Sequence, residues 1–145
     1  MKTNYLAVLV AAVSYWILGA IWFGVLFGKQ WMAYQGWTEE MVQKMGAPVA
    51  PYVVSFLLNL LIAFTLAQVC AWRGAYTASR GASLGILLWI GFVGPTAYTT
   101  YMYAMRPKGL FAIDQFYSLV GFCIMGAILG AWSKRPAPNA SPPRR

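Results

Sequence analysis

The sequence predicts an all-α membrane protein, a four-transmembrane-helix bundle with a short amphipathic interfacial helix between the first and second spans. Three observations carry this. Apolar residues make up 60% of the chain and charged residues only 10%, whereas soluble domains are nearer a quarter charged. The apolar residues fall in four runs, each long enough to cross a hydrocarbon core of ~30 Å as a helix. The charges stand at the ends of those runs, with one exception, Asp114.

The first run covers residues 5–27, "YLAVLVAAVSYWILGAIWFGVLF". Lys2 precedes it, as in a signal peptide, but the run is longer than a typical signal core and no small-residue cleavage site follows promptly. It is read as a retained span. In the connection that follows, Thr38 is placed as an N-cap, with Glu39 and Glu40 near the positive helix end. Met41, Val42 and Met45 then form a short apolar stripe, the interfacial helix. The second span is 51–72, and Pro51 suits a first helical turn. The third is 82–105. Pro95 lies inside it and predicts a kink rather than a stop, because neighbouring helices in lipid can re-satisfy the freed carbonyl. The fourth is 110–132. Residues 1–133 thus form one four-span membrane domain. Residues 134–145, "KRPAPNASPPRR", read as a disordered, basic, proline-rich tail.

The formal net charge of +8 comes from eleven basic residues spread over span ends and the tail. That distribution fits lipid phosphates, so the expected partner is the lipid bilayer and not nucleic acid. There is no histidine, and the two cysteines, Cys70 and Cys123, form no CxxC pair. No cofactor or metal is expected. Lys2, Arg73, Arg80, Lys134, Arg135, Arg144 and Arg145 share one side of a four-span topology, against Lys29, Lys44, Arg106 and Lys108 on the other. The excess of basic residues puts both termini in the cytoplasm of a multi-pass cell-membrane protein. Trp31 and Trp37 then fall at the outer interface, Trp72 and Trp132 at the inner one.

Glycines recur at spacing four: Gly24 and Gly28, Gly81 and Gly85, Gly126 and Gly130. This spacing lets helix backbones approach closely in lipid. Packing within the bundle is the expected use, and a homo-oligomer contact is the alternative. Ser14 and Gln68 are expected to bond a neighbouring helix or their own backbone.

Asp114 is the residue that composition alone does not explain. An ion facing hydrocarbon costs a few kcal/mol even on insertion scales. At the same expected depth stand Ser55 and Asn59 of the second span, Thr96, Thr99, Thr100 and Tyr103 of the third, and Tyr117 and Ser118 of the fourth. Lys29 and Arg106 flank that side. One reading is structural: Asp114 pairs with Lys29 or Arg106 and ties helix ends together. The other is an outward-facing polar pocket with Asp114 as a proton or cation site.

Three stretches together carry a resemblance: "WFGVLFGKQWM" at 22–32, "GFVGPTAYTTYMYAMRPKGLFAID" at 91–114 and "GAILGAW" at 126–132. Over roughly residues 5–133 the chain resembles the bacterial membrane family catalogued as domain of unknown function 1761. The resemblance implies a four-span membrane protein and no established activity. It also implies that Asp114 stands where members often have Asn or Asp, and that Tyr117 matches a family Tyr. Ser118 stands where members often carry His, so the chain departs from the family pattern there.

Three functions compete. The expected one is a non-enzymatic scaffold or accessory protein of the inner membrane. The alternative is a small transporter or channel with its pocket at Asp114 and an unknown substrate. An intramembrane enzyme ranks third: with no histidine and no nucleophile–base pair, the ingredients of catalysis are nearly absent.

Overall fold

The computed structural model describes residues 3–46 and 48–133. The expected tail at 134–145 and the charges at Lys2, Lys134, Arg135, Arg144 and Arg145 lie outside the described residues. The described residues are all-α. Helix α1 (Tyr5–Ile21) runs into a π-helical turn (Trp22–Leu26), followed by α2 (Gly28–Gln35) and α3 (Glu39–Met45). Next come α4 (Val49–Trp72) and α5 (Ala78–Leu88), then a second π-helical turn (Trp89–Val93), α6 (Gly94–Tyr103) and α7 (Lys108–Trp132).

Four helices are long and apolar enough to cross a membrane: Tyr5–Leu26, Val49–Trp72, Ala78–Tyr103 and Lys108–Trp132. The protein is therefore a multi-pass membrane protein. The third span begins four residues before the expected boundary, because Thr77 caps it: its Oγ1 accepts from Arg80 N–H at 3.3 Å. The connection between the first two spans holds two short helices where the sequence suggested one. Gly36, at φ 71°, closes α2 in the left-handed conformation that glycine adopts without steric cost. Thr38 Oγ1 then accepts from Met41 N–H at 3.3 Å and starts α3, as expected.

Pro95 acts differently from a simple kink. The turn preceding it is π-helical, and Gly94 N–H reaches back to the carbonyl of Trp89. Pro95 then sits in the first turn of α6, where its missing N–H leaves no gap. The widened turn absorbs the break while the span continues.

Helix α7 is the hub and touches each of the other three spans. Against α5 the contact is backbone to backbone. A Cβ on Gly81 would strike the carbonyl of Gly126, and a Cβ on Gly126 would strike the carbonyl of Gly81. Gly130 lies against Thr77 O and Gly81 Cα, and Gly85 against Phe122 O. These four glycines are therefore spent on one contact inside the chain. Gly24 is different, since a Cβ there would meet nothing within 4 Å. Gly28 meets only Phe23 O, on the turn it leaves. Against α1 the contact uses tyrosine knobs. The Tyr15 ring lies over Gly121 and the Tyr117 ring over Gly19, with the two rings stacked at 4.9 Å. Helix α4 joins in one buried cluster: Ala7, Ala11 and Ala12 of α1 pack with Ala63, Leu66 and Cys70. Gln68 adds an Nε2–H bond to Thr3 Oγ1 at 3.0 Å.

Candidate functional site: three indoles and a phenol on the last helix

At the end of the bundle that carries α2 and α3, α7 receives side chains from three directions. The two π-helical turns matter first. Each opens on a tryptophan in the pattern Trp-x-Gly, Trp22–Gly24 and Trp89–Gly91. A π turn rotates the chain beyond it and re-aims the side chains around it. Trp22 Nε1–H donates to Ile113 O at 3.1 Å. Trp89 Nε1–H donates to Ser118 Oγ at 3.0 Å.

After the first π turn, α2 docks back onto α7. Gly109 leaves room for the Tyr34 ring, which would clash with any Cβ there. Trp31, on the same face three residues earlier, then reaches Asp114. Its Nε1–H donates to Oδ1 at 2.9 Å. Trp37 packs edge-on against Trp31, ring centroids 5.2 Å apart. The closing turn of α2 places it, with Trp37 N–H bonded to Met32 O at 3.0 Å.

The second carboxylate oxygen is held from α6. Tyr101 O–H donates to Asp114 Oδ2. The hairpin that follows brings a cation to the same phenol. Met105, at φ 50°, occupies the left-handed position and Arg106 N–H bonds Tyr101 O at 3.0 Å. That geometry is a Schellman turn with methionine where glycine is usual. It sets the Arg106 guanidinium over the Tyr101 ring, 5.5 Å from its centroid, a cation–π distance. Arg106 thus meets the phenol that holds the acid.

The expected site residues divide into two groups. Asp114, Tyr117 and Ser118 are brought together, and Arg106 joins them through Tyr101. Tyr117 sits in an aromatic cluster with Tyr15, Trp22 and Phe23, and its hydroxyl points to Tyr15 O at 3.4 Å. Thr96, Thr99 and Thr100 are turned outward and exposed. Each bonds a carbonyl four residues back on its own strand of helix: Phe92 at 2.6 Å, Pro95 at 3.0 Å, Thr96 at 3.1 Å. Tyr103 and Lys29 are exposed too. Ser55 is exposed and bonds Tyr52 O at 2.9 Å, while Asn59, one turn on, is buried. Among the described residues the acid's hydrogen-bond donors are Trp31 and Tyr101, neither of them a formal cation.

Sequence reasoning missed Trp22, Trp31, Trp89 and Tyr101. One signal could have found the three tryptophans: an indole N–H in or beside an apolar span needs an acceptor, and Asp114 and Ser118 of α7 supply two. It also missed Gln115, one residue from Asp114, whose Oε1 is buried with no partner among the described residues. Among the described residues no group of three His, Cys, Asp or Glu side chains converges to hold a metal.

A match to the family described as "Protein of unknown function (DUF1761)" covers residues 6–130. The chain belongs to that family. A comparison with curated proteins and one with solved structures each give no match. The family match spans all four membrane helices and both π-helical turns, so the aromatic site lies within the shared region.

Proposed function

We propose that the protein is a non-enzymatic scaffold or accessory protein of the membrane, and that Asp114 is the pin of its polar end. The observation that supports this is that both oxygens of the carboxylate are held. Trp31 of α2 and Tyr101 of α6 each take one oxygen, so one side chain of α7 ties the connecting segment and the third span together. Hydrogen-bonded polar groups shielded from water rigidify the elements they join. The outward turn of the threonines supports the same reading, because it removes the polar lining that a path along the third span would need.

A transporter or channel is the second reading, and Gln115 favours it. An acceptor buried with no partner among the described residues, one position from Asp114 in sequence, is suited to water or a small cation. Labelling with a hydrophobic carbodiimide, which reacts with protonated carboxyls in membranes, separates the two. A structural pin stays unlabelled in the folded protein. Rapid labelling at Asp114 would favour transport.

We also infer that both termini face the cytoplasm, from the seven basic residues named above against four. Reporter fusions at residue 145 and within residues 33–45 should report opposite sides. The same side for both would overturn the arrangement.

A further inference from the structure

The opposite end of the bundle carries a cleft that the aromatic site does not explain. It measures about 390 Å³ and is lined by Arg73, Ala75, Ser79, Arg80, Ser83, Leu84 and Leu87. Local structure builds it. Helix α4 ends at Trp72 with Arg73 as its cap, Gly74 turns left-handed at φ 65°, and Ala75 N–H bonds Cys70 O at 2.9 Å. This turn buries Ala75 and leaves Arg73 at the rim. Two residues later Thr77 starts α5, where Ser79 and Ser83 stand one turn apart, and Arg80 and Leu84 likewise.

The electrostatics of the cleft are unbalanced. The chain has three acidic side chains, Glu39, Glu40 and Asp114, and all lie at the far end of the bundle, in α3 and the first turns of α7. The two arginines therefore share a cleft with no acidic side chain beside them. Arginine's planar fork matches phosphate oxygens, and serine hydroxyls add donors. The lining also has a direction. It passes from Arg73 and Ser79 at the loop, through Ser83, to Leu84 and Leu87 within the span. A soluble anion needs only the first part. A molecule with a phosphate head and an acyl chain uses both.

We propose that this cleft binds the headgroup of an anionic phospholipid, its phosphate between Arg73 and Arg80 and its acyl chain along Leu84 and Leu87. The site is independent of Asp114 and of the scaffold reading. The test is thermal unfolding of the full chain in neutral detergent, titrated with phosphatidylglycerol, with phosphatidylcholine of the same acyl chains, or with inorganic phosphate. Phosphatidylglycerol should raise the melting temperature saturably, and the other two should not match it at equal concentration. The Arg73→Gln/Arg80→Gln variant should lose about tenfold or more in apparent affinity, the scale of two charge-assisted bonds. The Lys44→Gln/Lys108→Gln variant has the same net charge and should keep the response. Equal responses from both double variants, or from the two lipids, would overturn the proposal. A full response to inorganic phosphate would overturn the lipid assignment in favour of a soluble anion. The three-ligand comparison on the unaltered protein stands even where a variant does not fold.

Discussion

Helix α7 is held in two different ways along its length. From Phe122 to Gly130 its face towards α5 meets that helix with almost no side chain in between. Gly81 and Gly126 approach until a single Cβ on either would hit a carbonyl. From Ile113 to Ser118 it is gripped by long side chains from elsewhere, the indoles of Trp22, Trp31 and Trp89 and the phenol of Tyr101. The first half gains dispersion energy from close contact, the main driving force where lipid is as apolar as the protein. The second half gains a few directional bonds, each modest in a membrane but each specifying one geometry. The difference teaches where tolerance lies. The glycine half is steric and should fail abruptly. The polar half is chemical and should fail in proportion to the bonds removed.

The sharpest break of this comparison is Gly126→Ile. Its side chain has no room against α5, and we expect a loss of about 3 kcal/mol or more, read as thermal stability in detergent. Gly126→Ala should already destabilise measurably, since even a Cβ meets Gly81 O. Gly24→Ala has the same spelling in sequence but open space around it, and should stay within about 0.5 kcal/mol. Equal effects at the two sites would end the steric account.

Next in size is Asp114→Leu, which strips two donors of their acceptor at once. A loss of about 1–3 kcal/mol is expected. Asp114→Asn keeps an acceptor for Trp31 and offers an amide to Tyr101 oxygen, so about 1 kcal/mol or less is expected. An asparagine variant as damaged as the leucine one would mean that charge, not hydrogen bonding, holds the site. That outcome would return weight to an ion pair with Lys29 or Arg106.

A finer cut is Trp31→Phe, which keeps the ring and removes the N–H. In a double-mutant cycle with Asp114→Leu the coupling should be about 0.6–1.7 kcal/mol, the range for bonds within membranes. Additive losses would place the indole bond outside the energetics of the fold. The smallest expected effect is Arg106→Gln. It removes a cation from the exposed face of Tyr101 and should cost about 0.5 kcal/mol. That cost should vanish in a Tyr101→Leu background, which lacks the ring.

How far the sequence could be read depended in part on whether a feature was local. The four spans and the Thr38 cap were legible because they follow from neighbouring residues, whereas the Thr77 cap and the Gly36 and Gly74 turns, equally local, were missed. The Gly81–Gly85 and Gly126–Gly130 pairs were legible as packing faces, though among the described residues the identical spelling at Gly24–Gly28 seats no neighbouring span against either glycine. At the site, Asp114, Tyr117 and Ser118 were legible because polar residues stand out in an apolar run. The threonines of the third span stood out equally, yet they bond their own carbonyls and face outward. Polarity marks a residue without saying which way it points.

Sequence by itself determined the solvent and the number of crossings. Both are sums over consecutive residues, since each apolar side chain adds its transfer energy wherever the helix lies. Only the tertiary structure decided the partners of Asp114. Trp31 and Tyr101 reach it because two π turns rotate the ends of the first and third spans, and because Gly109 and Gly121 let aromatic rings sink onto α7. Those rotations set which face of each helix looks inward, and a hydropathy pattern apolar on every face carries no record of that choice.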